Sequence, residues 1–292
     1  MPSLKDLRVR IKSVKSTQQI TKTMKMVAAA KMRRAEDACQ QSRPYTTALA
    51  RVLCDLSSRV PQQGAPLMLR GYNAPSTIRL IVFGSSRGLC GGFNGQIARK
   101  AVAAIRGWEK QGKRVEIVTV GSKAYNEMKN HFASFIVDRN DAAAATPSYD
   151  VAQALAEKTS ADFMAGTCHE VHILFNTFVN VLTQKPTLAQ LLPFNVAQPK
   201  GSEKATAKAS TEYEPNEETL LQHLLPLNVA TQIFSALLES QASEQGARMS
   251  AMDSATRNAG KMIKSLSLTY NRQRQANITR EITEIVSGAE AV

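Results

Sequence analysis

The chain has 292 residues, 43% of them hydrophobic, enough for one large folded unit or two modest ones with a real core. Aromatic residues are only 5%, with a single tryptophan, Trp108, which excludes a thick aromatic core along the whole length and favours long helices rich in Ala, Met, Lys, Arg and Gln. The formal net charge is +13, no apolar run approaches the ~20 residues of a membrane span, and Cys39, Cys54, Cys90 and Cys168 are too few and too scattered for a disulfide framework. The opening MPSLKDLRVR is basic and amphipathic, like a transit peptide. Its pattern continues into the next fifty residues, so it reads as mature protein.

Residues 3–58 contain no Gly and one Pro, Pro44, and read as one long helix that Pro44 kinks or locally breaks. Ser3 and Asp6 fit a capping box with Asp replacing Glu. Leu4, Leu7, Ile11 and Val14 step by three and four; the stripe then passes Thr17 and resumes at Ile20, Met24 and Val27. The two steps of three around Thr17 predict a stammer in the heptad frame. The first 43 residues carry eleven bases against three acids, more than half of the chain's excess charge. That pattern fits a solvated helix face, an acidic protein partner or a nucleic acid.

Residues 59–76, with three prolines and two glycines, read as a linker. Strands are then expected at Thr77–Gly84, Arg114–Gly121, Phe132–Asp138 and Glu170–Phe178. Helices are expected at Gly92–Gly112, Ser122–His131 and Ser148–Gly166, and one or two further extended segments in Val181–Phe194. Alternating strand and helix predicts an α/β domain with a largely parallel sheet. Residues 195–216 are polar and of low complexity and read as a mobile loop or hairpin. A short helix, Glu217–Leu225, precedes a second long helix that starts near Pro226. In that helix Met249, Met252, Thr256, Ala259, Ile263, Leu266 and Tyr270 form a heptad seam, and Ile278, Ile282, Ile285 and Ala289 continue the spacing.

A helix of about 60 residues is ~90 Å long, and the first is of order 80 Å. Neither fits inside a compact globule of this size, and each needs the other to bury its stripe. The expected fold is α/β with a long coiled coil: antiparallel N- and C-terminal helices forming a rod, plus a central Rossmann-like α/β domain. The expected division is a helix at 1–58, a linker at 59–76, a globular foot at 77–216 and a helix at 217–292.

Three blocks resemble the gamma subunit of rotary F-type ATP synthases, of the bacterial type. They are Ser3–Ala30 (SLKDLRVRIKSVKSTQQITKTMKMVAAA), Arg87–Asn94 (RGLCGGFN) and Ala247–Ala289, above all LTYNRQRQ and ITREITEIVSGA. The resemblance implies a non-catalytic central stalk with no cofactor and no metal. It implies as partners the alpha and beta subunits of the catalytic ring, the epsilon subunit and the polar loops of the c-ring, with no nucleic acid. It further implies a peripheral place on the cytoplasmic face of the bacterial inner membrane, reached only through the complex. The start at MPSLKD fits a chain without a removable leader.

The resemblance also implies rotor–stator contacts at Met24 and Lys25 in TKTMKMV, at Arg87 and Cys90 in the Gly-rich loop, and at Arg248, Arg274, Gln275, Thr279 and Glu281 on the last helix. Seam packing is the other reading of Met24, and a solvated helix face that of the last five. Ile278, Ile282, Ile285 and Val286 fit an apical bearing in an apolar collar, or packing on the early first helix. The family commonly has Asp before Arg87, where this chain has Ser86. Gly84, Gly88, Gly91 and Gly92 fit no phosphate-loop spacing, which weighs against an α/β nucleotide-binding enzyme with helical arms. A basic coiled-coil nucleic-acid binder predicts interleaved aromatics, and residues 1–43 have none. Cys168, His169 and His172 are a weak metal pattern, since strand alternation puts the two histidines on opposite faces.

Overall fold

A computed structural model describes residues 3–61, 64–194 and 216–290, so the segment expected as a loop or hairpin at 195–216 falls, apart from Asn216, outside the described residues. The structure is helix-rich, with long N- and C-terminal helices and a central mixed sheet. In chain order come α1 (Leu4–Arg59), α2 (Leu67–Arg70), β1 (Thr77–Phe83), α3 (Phe93–Lys110), β2 (Arg114–Val120) and α4 (Ser122–Phe132). A 3-10 turn (Ala133–Phe135) leads to β3 (Ile136–Asn140), α5 (Asp141–Ala145), α6 (Tyr149–Met164), β4 (Glu170–Phe178), β5 (Gln184–Leu192) and α7 (Glu217–Glu290). The chain divides into two compact units, Met1–Ala29 with Arg248–Val292, and Ala30–Ala247.

The helix is not broken at Pro44, and the short helix expected before Pro226 is corrected: α1 runs through Pro44 and α7 runs from Glu217 through Pro226. A proline strips one hydrogen bond from the carbonyl four residues earlier. Here Pro44, Pro226, Gln40 and Gln222 are all exposed, so water satisfies the freed carbonyls. Ser3 and Asp6 form the reciprocal cap, with Ser3 N donating to Asp6 Oδ2 at 3.1 Å and Asp6 N donating to Ser3 Oγ at 3.2 Å.

In the unit built from the two chain ends, α1 and α7 pair antiparallel. Arg8 lies opposite Tyr270, Gln18 opposite Thr256, and Lys25 opposite Asp253. The α7 seam from Met249 to Tyr270 is half or fully buried at every expected position. The α1 stammer is absent. The buried face keeps an unbroken heptad through Leu7, Ile11, Val14, Gln18, Thr21, Lys25 and Ala28, while Ile20 and Val27 are 57% and 51% exposed. Polar residues hold the seam because they satisfy one another. Thr21 and Thr256 place their hydroxyl oxygens 2.8 Å apart, and each bonds a carbonyl of its own helix. At Gly260 a Cβ would lie 3.1 Å from the end of the Gln18 side chain, so the helices approach closely there.

In the other unit the sheet order is β3-β2-β1-β4-β5, with β5 antiparallel to β4 and every other pair parallel. β1 is buried along nearly its whole length, as a central parallel strand must be. β5 closes an edge and carries Lys185 and Pro186, residues that discourage further pairing. Side chains alternate across the sheet. Leu80, Val82, Ile117 and Leu174 pack against α3 and α4. Ile81, Phe83, Val118 and Ile173 pack with Leu49, Leu53 and Leu56 of α1, Leu155 and Phe163 of α6, and Leu225, Val229 and Ile233 of α7. Arg79 of β1 stands in register with Glu116 of β2 and binds it at 2.8 Å; it also pairs with Asp162 of α6. The segment expected as a linker carries α2, whose Met68 is buried, and Tyr72, which donates to the Phe163 carbonyl at 2.7 Å.

Candidate functional site

The Gly-rich turn after β1 has the place of a phosphate loop but not its open geometry. Asn94, in the first turn of α3, accepts from Ser85 N at 3.1 Å and donates to Ser85 Oγ at 2.8 Å and to Cys90 Sγ at 3.3 Å. Ser85 Oγ in turn donates to the Arg87 carbonyl at 2.7 Å. The Asn94 side chain is thus committed to its own loop. At the carboxyl ends of β1 and β2, a nucleotide's usual place in such folds, the gap between Phe83, Gly84, Val120 and the α7 residues Ser240, Gln241 and Glu244 is only ≈ 10 Å³. That is room for about one water. A larger cavity of ≈ 210 Å³ lies beside Arg79, but its charged groups are already engaged, Arg79 with Glu116 and Asp162, and Lys158 with Asp138 at 2.8 Å.

The Cys-His-His pattern is structural. His169 Nδ1 lies 3.1 Å from Ser76 N and 3.2 Å from Thr77 N, holding the start of β1. His172 packs at a tilt against Trp108, ring centroids 4.9 Å apart, and meets Glu170 at 3.2 Å, and burial depresses its pKa. Burial pushes the Cys168 thiol up to about 11. Among the described residues no cluster of three or more His, Cys, Asp or Glu is placed to hold a metal ion, and no helix is long and apolar enough to cross a membrane.

The expected contact residues fall into three settings. On the paired helices, Met24 is half-buried beside the seam and Lys25 binds Asp253 at 2.6 Å, a pairing that holds the Asp253 carboxyl below its usual range. Arg248 is 8% exposed, so its side chain is packed within the chain rather than displayed on an outer face. Beyond Tyr270 the pairing runs out, because α1 begins at Leu4. Arg274, Gln275, Thr279 and Glu281 are exposed there, and Thr279 Oγ1 donates to the Gln275 carbonyl of its own helix. Ile278, Ile282, Ile285 and Val286 are 48–71% exposed, which corrects the reading that they pack on early α1: there is no α1 left to meet them. The sixteen residues 275–290 extend ~24 Å.

In the α/β unit Arg87 is exposed, whereas Cys90 is 2% exposed. Direct contact through Cys90 is therefore corrected: its thiol is buried, and Asn94 Nδ2 donates to it at 3.3 Å. The neighbouring Leu89, missed in the sequence, is 63% exposed at φ 64. Its signal was a bulky apolar residue between glycines. Ser86 donates nothing outward: its Oγ is buried with no hydrogen-bond partner among the described residues.

A long antiparallel helix pair, a five-stranded α/β unit and an exposed helix end define a protein of the stalk class. A family model described as ATP synthase matches residues 3–292. The chain is 49% identical over 294 residues to the ATP synthase gamma chain of Roseobacter denitrificans and 49% identical over 293 residues to that of Fuscovulum blasticum, each alignment covering all of both chains. The chain belongs to the ATP synthase gamma chain family. Its fold also matches a chain in a cryo-EM structure of the Euglena gracilis mitochondrial ATP synthase, described as OSCP/F1/c-ring in rotational state 3. That match has a TM-score of 0.68 and 21% identity, over 99% of this chain and 94% of that one.

Proposed function

We propose that the chain is the central-stalk rotor of a proton-translocating ATP synthase, coupling rotation of the c-ring to conformational cycling of nucleotide sites on the alpha/beta ring. It is itself non-catalytic. The observation that carries this reading is the exposed end of α7, a ~24 Å helix with an apolar stripe and adjoining polar positions that no other described residue covers. An apolar collar accepts Ile278, Ile282, Ile285 and Val286 as a bearing. Arg274, Gln275, Thr279 and Glu281 make and release polar contacts as the shaft turns, and Met24 and Arg87 are further contacts with the ring. The basic outer face of α1, with Lys12, Lys15, Lys22, Arg33 and Arg34, complements an acidic stator surface while keeping each contact weak and screened.

The α/β unit fits the foot that meets the epsilon subunit and the polar loops of the c-ring. The chain then sits peripherally at the cytoplasmic face of a bacterial inner membrane, held there by the complex. The first test is purification of the chain alone and with its partners. Expected are no ATP hydrolysis by the isolated chain and co-purification with alpha, beta and epsilon subunits. ATP turnover by the isolated chain, abolished by substitutions around Ser85–Asn94, would count for an enzyme.

A further inference from the structure

We propose that Tyr45, Tyr149 and Phe234 form an aromatic corner that takes an arginine side chain from a partner chain. The proposal rests on the reading of the unit Ala30–Ala247 as a surface that meets other subunits. In a chain with only 5% aromatic residues, α1, α6 and α7 bring three rings to one cleft of ≈ 200 Å³. The Tyr149 and Phe234 rings stand nearly at right angles, at 79° with centroids 5.8 Å apart, and so make two walls. Tyr45 of α1, 52% exposed, is a third side.

The rest of the lining is Ser42, Thr46 and Thr231. Ser42 Oγ donates to the Cys39 carbonyl at 3.0 Å, Thr46 Oγ1 to the Ser42 carbonyl at 3.0 Å and Thr231 Oγ1 to the Leu227 carbonyl at 2.8 Å. With their protons committed to their own helices, these oxygens have only lone pairs to offer. Ring faces are likewise electron-rich. The chain has 37 lysines and arginines, yet none of them lines this cleft. A neighbouring cleft of ≈ 220 Å³ shares Tyr149, runs past Pro226 and Leu227, and adds the carboxylate of Glu157, again with no basic residue in its lining. Such walls suit a cation that only donates. Arginine fits better than lysine, because its guanidinium is planar and stacks on rings. The chain uses the same contact internally, where the Arg139 guanidinium lies 4.2 Å from the centroid of the Tyr125 ring.

Fluorine NMR of the full chain, with its six tyrosines as fluorotyrosine, tests the corner by titration with N-acetylarginine methylamide. Saturable shifts are expected at Tyr45 and Tyr149, and none at Tyr125, whose ring already carries Arg139. The citrulline analogue, similar in shape but uncharged, is expected to shift neither. Tyr45→Leu, which keeps apolar bulk at a half-exposed position but removes the ring, is expected to weaken binding about fivefold, read at Tyr149. No saturable shift, or an equal response to the citrulline analogue, overturns the site. This titration needs no partner, so its failure leaves the stalk reading standing. In the assembled complex Tyr45 is expected to resist nitration by tetranitromethane, as a ring covered by a partner must. Nitration as fast as in the chain alone overturns the assignment to a partner chain.

Discussion

Cross-linking Gln275→Cys to a cysteine on the beta subunit, in the assembled complex, is expected to stop coupled turnover, with ATP synthesis and ATP-driven proton pumping falling well over tenfold (about 1.4 kcal/mol per factor of ten) and returning on reduction. Gln275 suits the test because it is exposed on the unpaired end of α7, where a thiol disturbs no packing. A covalent bond there holds one orientation of the shaft against the ring, and no thermal fluctuation releases it. A static scaffold would tolerate the same bond. The measurement is turnover before and after quantitative cross-linking, and more than half of the activity surviving full cross-linking would remove Gln275 from the moving contact.

The second large effect is on stability. Arg79→Ala leaves the buried Glu116 with only the exposed Arg114, 3.8 Å away, and Asp162 half-buried without its cation. Breaking a buried pair from one side costs about 3–5 kcal/mol, a large share of the 5–15 kcal/mol typical of a domain. At roughly 2–4 °C per kcal/mol for a unit of this size, the melting temperature is expected to drop on the order of 10 °C. Replacing all three residues with apolar ones of similar volume is expected to restore most of it, because the stranded carboxylates go too. Calorimetry of the two variants checks both statements; an Arg79→Ala variant as stable as the parent would mean that the triad adds nothing.

The chain's periodicity was informative where burial and hydropathy coincide. The α7 seam from Met249 to Tyr270 is buried as its spacing predicts, and β4 has the predicted ends. Periodicity misled on α1, where the apolar residues Ile20 and Val27 face outward and Gln18 and Thr21 hold the seam. No scan along one helix reveals that Thr21 faces Thr256, because their hydroxyls satisfy each other only across the pair. β3 begins four residues later than expected, since Phe132 ends α4 and a 3-10 turn intervenes. Both prolines were read by local rule, and both helices pass through them because the freed carbonyls face water.

For the site, the exposed Arg274, Gln275, Thr279 and Glu281 were reachable through resemblance, while the burial of Cys90 and Arg248 required coordinates. Nothing along the chain marks Asn94 as the residue whose side chain ties the Gly-rich turn together. That depends on partners that the fold brings in, Ser85 and Cys90.

Observation of single molecules tests the central claim most directly: an alpha/beta ring fixed to a surface, this chain inserted, and a bead attached through an added cysteine on the α/β unit. With ATP supplied, stepwise rotation in one direction is expected, and the same ring without the chain should show none. ATP hydrolysis at full rate with a stationary bead would mean that the paired helix ends are a fixed support and not a turning shaft.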